Sequence, residues 1–158
     1  MARHVERFEF VPESTEHLEE WMGELVGDPR GWINLLPGFV AEPEREGPGL
    51  FSVFGGRQPG VSMCTWIPPR PGRRGPPVTT VGILHSLGGP VRATLIERGL
   101  DVPPRWRVDQ DHARRGLIAL VPTNEPHSVV LGWLLPAGSE LSNVELTGSW
   151  QAEVHLRR

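Results

Sequence analysis

Leu18, Trp21, Met22, Leu25 and Val26 recur at the spacing of one face of a helix, with Glu16, Glu19, Glu20 and Glu24 opposite. Ser14 stands where an N-cap is expected, and Gly27 and Pro29 where the helix should stop. Residues 31–38 are apolar but interrupted by glycine and proline, which reads as a packed-down loop. The segments Leu50–Phe54 and Val61–Ile67 then read as two strands of a long hairpin. Residues 68–77, rich in proline and arginine, read as an exposed, stiffened basic loop.

From residue 78 the order becomes β-α-β-β-α-β. Val78–Leu84, Arg105–Gln110, Gly116–Val121 and Ser149–Leu156 read as strands; Pro90–Arg98 and Pro126–Leu135 read as helices, the first closed by Gly99. That order is the ferredoxin-like unit. The chemistry of the strands agrees with it. Val81-Gly82-Ile83-Leu84 and residues 117–121 are continuously apolar, as central strands should be, whereas Trp106 and Val108 alternate with Arg107 and Asp109. Trp150, Ala152, Val154 and Leu156 likewise alternate with Gln151, Glu153 and His155. The expectation is one α+β domain over residues 1–158: a ferredoxin-like unit at about 78–156, with the N-terminal helix and hairpin of residues 1–67 packed on or extending its sheet. Two helices cover one sheet face only. The N-terminal layer is therefore expected on the other, with a homodimer mate or an apolar ligand as alternatives.

Composition narrows the class. The 158 residues suffice for one core, and 38% hydrophobic content with six Trp and five Phe is globular. No apolar run approaches the roughly 18 residues of a membrane span, and Met1–Arg7 has no leader character. With one cysteine, Cys64, no internal disulfide can form, so a cytoplasmic protein is expected. The net charge of −3 argues against a dedicated nucleic-acid binder. The charge is uneven: residues 1–50 carry 11 acids against 4 arginines, and residues 51–100 carry 1 against 6. The acidic part is expected to lie against the basic middle or to face a partner.

Candidate chemistry centres on Leu84-His85-Ser86-Leu87-Gly88-Gly89, between a strand and a helix. The turn resembles the nucleophile elbow of the lipases and other α/β-hydrolases over about six residues, although Leu84 stands where the elbow has glycine. The resemblance implies a serine hydrolase with Ser86 as nucleophile, an acid such as Asp109 or Asp111, and His127 or His155 as base. The plainer reading has Ser86 capping the next helix. Ser86, Gly88 and Gly89 could also present backbone N–H groups to an anion or other small molecule. Asp109-Gln110-Asp111-His112 groups metal-type side chains without a second ligand cluster, and neither metal nor cofactor is expected.

The element order also raises the RNA-recognition module, whose third strand opens with Arg-Gly, as in Arg115-Gly116. Leu117 and Ala119 replace its stacking aromatics, which argues against nucleic acid. Cys64 reads as a small buried hydrophobe, and Trp106 and Trp150 as core. The favoured function is a non-enzymatic interaction module that binds a protein partner or itself. Its surface would carry Trp32, Arg70, Arg73, Arg74, Arg114 and Arg115.

Overall fold

The computed structural model describes residues 3–40, 60–71 and 75–157. Seven strands form one antiparallel sheet: β1 (Arg3–Phe10), β2 (Trp32–Phe39), β3 (Met63–Arg70), β4 (Val78–Leu84), β5 (Arg107–His112), β6 (Gly116–Val121) and β7 (Leu146–Arg157). Three helices join them: α1 (Glu16–Gly27), α2 (Arg92–Glu97) and α3 (His127–Glu140). The strand order is β1-β7-β2-β3-β4-β6-β5.

This order overturns the ferredoxin-like expectation. That unit would set β7 directly beside β4, but β2 and β3 are inserted between them. The sequence around β2 explains why. Trp32-Ile33-Asn34-Leu35 alternates as a strand must, with Ile33 and Leu35 fully buried. Pro37 and Gly38 disguise the pattern, yet Pro37 lies beyond the β2–β3 pairing, which runs Ile33–Leu35, so its missing N–H breaks no bond there. β1 was hidden by its charges, although Phe8 and Phe10 alternate with Arg7 and Glu9. The strand expected at Leu50–Phe54 lies outside the described residues. Its supposed hairpin partner is β3, which pairs with β2 and β4.

The basic loop also begins later than expected, because β3 continues through Pro68 and Pro69 to Arg70. α3 runs past Leu135 despite Pro136, since Leu134, Leu135, Ala137 and Gly138 are all buried. Tertiary packing there outweighs the cost of an interior proline. β5 starts two residues late and carries a bulge between Val108 and Gln110, which breaks the alternation read from the sequence.

Each helix links two parallel strands with other strands between them. α1 passes over β7, α2 over β6, and α3 over β4, β3 and β2. Right-handed crossovers along these paths put all three helices on the same face. α1 and α3 touch each other and both touch β3; Trp133 Nε1 of α3 donates to Leu100 O, just after α2. The N-terminal helix therefore lies on the same face as the other two, which overturns the expectation that it covers the second face.

Beneath the helices the sheet presents two registered rows. One runs Phe8, Ala152, Leu35, Cys64, Ile83, Leu117, Asp111 and the other Glu6, Val154, Ile33, Trp66, Val81, Ala119, Val108. Their central members and Leu18, Met22, Leu95, Leu134 and Trp150 form one buried cluster. Cys64 is an inert part of it: burial pushes its thiol pKa far up, and its Sγ sits 3.7 Å from Leu134 O. Trp66 Nε1 is buried and finds no acceptor among the described residues.

Packing under α3 is tight enough to test. A Cβ at Gly138 would stand 2.5 Å from Cys64 Sγ and 3.1 Å from Trp150, whereas at Gly132 nothing lies within 4 Å. Gly138→Ala should cost about 1–3 kcal/mol. Gly132→Ala, on the exposed side of the same helix, should add roughly 0.5–1 kcal/mol. Thermal denaturation of the pair checks both signs, and equal shifts would contradict the packing.

Candidate functional site

The Ser86–Gly89 turn leaves β4 at one end of the sheet. Ser86 is exposed, and Gly88 takes φ +78°, the left-handed conformation that suits glycine. Ser86 does not cap α2. The N–H groups of Val91 and Arg92 are taken instead by the Asp111 carboxylate, at 2.9 and 3.1 Å. Asp111 reaches them because β5 lies beside β6, two strands from β4. The helix end that could have met an external anion thus already holds an internal one.

The residues of the hydrolase reading are not brought together. Thr79 pairs with Val121, so β6 delivers the chain to α3 at the end of β4 away from Ser86. His127 stacks edge-on against Trp66, ring centroids 5.9 Å apart, and Trp66 pairs with Val81. Ser86 is five residues further along, roughly 16 Å of extended chain. Asp109 lies on the outer strand β5, exposed and 4.0 Å from Arg107. The other acid, Asp111, caps α2.

The metal-type residues separate too. Asp111 faces α2, while His112 Nδ1 accepts the N–H groups of Arg114 and Arg115 at 3.0 and 3.2 Å, closing the β5–β6 turn. Among the described residues no three His, Cys, Asp or Glu side chains gather as a metal site.

The arginine surface divides as well. Arg70 donates to Pro29 O and Gly31 O, both at 2.9 Å, and so ties β3 to the α1–β2 turn. Arg73 and Arg74 lie outside the described residues. Arg114 and Arg115 are exposed in the β5–β6 turn. Trp32 belongs to strand β2 rather than a loop. Its ring lies flat against His155, centroids 4.6 Å apart and planes 5° apart, with Arg157 Cζ 5.6 Å from its centre.

Trp32 sits on the sheet face away from the helices. The middle row of this face takes one residue from each strand: Arg7, Glu153, Asn34, Thr65, Gly82, Ile118, Gln110. Its first four members interact: Arg7 Nε donates to Glu153 at 2.9 Å, and Thr65 Oγ1 donates to Asn34 Oδ1 at 2.9 Å. Asn34 Nδ2 lies 3.3 Å from His155 Nε2. The flanking rows add Ile67, Thr80, Leu120 and Arg107 on one side, and Gln151, Leu36 and Leu84, Met63 on the other. One half of the face is polar, therefore. The half over β3, β4 and β6 is apolar and only half-buried.

Leu117 and Ala119, weighed as counterparts of RNA-stacking aromatics, point under the helices instead; Ile118 and Leu120 occupy the open side. Sequence reasoning missed Asn34, Thr65 and His155 as members of one surface. The alternation across residues 32–35 was the available signal.

The chain matches no protein-family model, no curated protein and no solved structure. No described helix is long and apolar enough to cross a membrane.

Two expectations follow. Asp111→Ala leaves the first N–H groups of α2 without their acceptor and should cost about 1–3 kcal/mol. The accompanying chemical-shift changes should centre on residues 91–97.

The second concerns pH. Burial holds His127 and His155 below the ordinary histidine value; Glu19 partly offsets this for His127, and Glu153 for His155, where Arg7 and Arg3 add to the lowering. The unfolded chain therefore binds more protons as pH drops through about 6.5, and the native state loses stability there until the lower folded values are passed. Hydrogen bonds hold Glu16 and Asp28 below the usual carboxylate range, so their contribution is lost only in stronger acid. Tm should fall between about pH 7.5 and 5.5, and a His127→Gln/His155→Gln variant should show a smaller slope. An unchanged slope would remove these two groups as the cause.

Proposed function

We propose that the protein is an interaction module that docks a protein partner against the helix-free face of its sheet, with a second copy of the chain as the simplest partner. One observation carries the reading. Met63, Ile67, Leu84, Ile118 and Leu120, set around Thr65, Thr80 and Gly82, make this half of the face mainly apolar, and no helix or strand among the described residues lies over it. An antiparallel sheet with one solvated face ordinarily places polar residues there, as β1, β7 and β2 do. At about 4.8 Å per strand and 6.6 Å per row, the five strands and three rows from β2 to β5 span roughly 20 by 15–20 Å. That footprint, roughly 300–400 Å², is about half of one side of a standard protein interface, so the contact has to extend onto the polar margin. Trp32, at the polar margin and held flat by His155 and Arg157, supplies a rigid aromatic of the kind that anchors such contacts.

Light scattering after size-exclusion chromatography tests the reading. The wild type should elute with the mass of two chains, and Leu120→Lys should shift it to one. The substitution is on the surface and should alter the stability of the monomer by no more than about 0.5 kcal/mol. A wild type that stays monomeric at its highest soluble concentration, and whose Leu120→Lys variant is indistinguishable from it, would sink self-association through this face.

A further inference from the structure

We infer that the outer edge of β1 is a second docking site, independent of the open face, which takes an extended partner segment carrying an arginine or lysine. Among the described residues β1 pairs on one side only, with β7, and does so through eight consecutive residues without a bulge. The opposite edge strand, β5, is shorter and broken by its bulge. Bulges and short length are devices that deter strand addition, and β1 has neither. Among the described residues no strand pairs with its outer edge, whose N–H and C=O groups offer a template for an added β-strand.

A cleft alongside this edge decides the partner's chemistry. It encloses about 610 Å³ between β1 and the start of α1. Its walls are the Phe8 and Phe10 side chains and His17, whose ring lies 4.5 Å from that of Phe8. Phe8 and Phe10 are on the helix side of the sheet, opposite Ala152 and Trp150. Because side chains alternate, a strand laid against β1 would send every second residue to that same side, towards this cleft. The rim carries Glu16 and Glu20, and no described arginine lines it; Glu9 borders the cleft from β1, with its side chain on the opposite face beside Gln151. Glu16 stays ionised into acid, since its own backbone N–H and the Ser14 hydroxyl hold its pKa down. His17 lies 3.5 Å from Glu20 and is the one basic-type side chain in the lining. Aromatic walls under a carboxylate rim fit the flat guanidinium of arginine best, which can stack on a ring and pair with an acid together.

Fluorescence anisotropy with four synthetic peptides tests both parts. The probe is a labelled peptide of alternating valine and threonine with one arginine; the controls replace arginine by citrulline, or methylate the backbone nitrogens at alternate positions. The arginine peptide should bind, and citrulline should weaken it by about tenfold, the worth of one lost ion pair. A Glu16→Gln/Glu20→Gln variant should erase that difference. One of the two alternate-methylation patterns should abolish binding and the other spare it, because only every second N–H of a strand faces its neighbour. Equal binding of arginine and citrulline peptides overturns the choice of partner, and indifference to both methylation patterns overturns strand addition. Leu120→Lys should leave all of these values unchanged, so failure of the open-face reading and failure of this one are told apart.

Discussion

The handedness of three crossovers governs this molecule. Each helix returns the chain to a strand parallel to the one it left, with one to three other strands between the two in the sheet. A right-twisted sheet accepts such returns almost only in the right-handed sense. Because the first and second crossovers move one way along the sheet from strands of one direction, and the third moves back from a strand of the other, all three helices arrive on the same side. The two-sided character of the protein follows from that. One face is buried under α1, α2 and α3, and the other is left to whatever polar or apolar pattern the strands carry.

β3 shows how closely the sequence is fitted to this plan. Cys64 and Trp66 lie under α1 and α3, where Gly138 brings the backbone of α3 close enough to touch Cys64 Sγ if it bore a Cβ. Ser62 Oγ donates to Gly138 O at 2.6 Å and holds the same contact from one residue position further out. On the other side of the same strand, Met63 and Ile67 are half-exposed beside Thr65, which bonds Asn34. A single strand thus serves a dry core and an open surface with adjacent residues.

What the sequence disclosed depended on local contrast. α1, β4, β6 and β7 were legible because strong apolar periods were bounded by clear breakers, and Gly99, at φ +71°, ends α2 where expected. β1 and β2 were not, for opposite reasons. β1 is an edge strand whose charges mask two inward phenylalanines, and β2 is a buried strand whose Pro37 and Gly38 imitate a loop. Missing them made the four strands after residue 77 look like a complete smaller fold. The continuity of residues 81–84 and 117–121 was read as a sign of central strands covered on both faces; β4 and β6 do lie inside the sheet, but no described helix or strand lies over their second face. Local pattern reports apolar residues on two faces without reporting what covers either.

The same limit applies to the candidate chemistry. Ser86, Asp109 and His127 were associated by motif order, and order along the chain says nothing about which end of a sheet each residue reaches. Register decides that, and register is a property of pairs of strands. Asp111 illustrates the converse. In sequence it resembled a metal ligand or a turn former. In the folded chain it is the acceptor for α2, twenty residues from the N–H groups it satisfies. With Asp111, His112 and Arg70 assigned to holding the frame, the open half-face and the outer edge of β1 are the surfaces among the described residues on which the proposed docking rests. Both are binding geometries, one apolar and planar, the other a bare backbone beside a carboxylate-rimmed cleft. The physical case for an interaction module therefore rests on what the fold leaves uncommitted rather than on any motif.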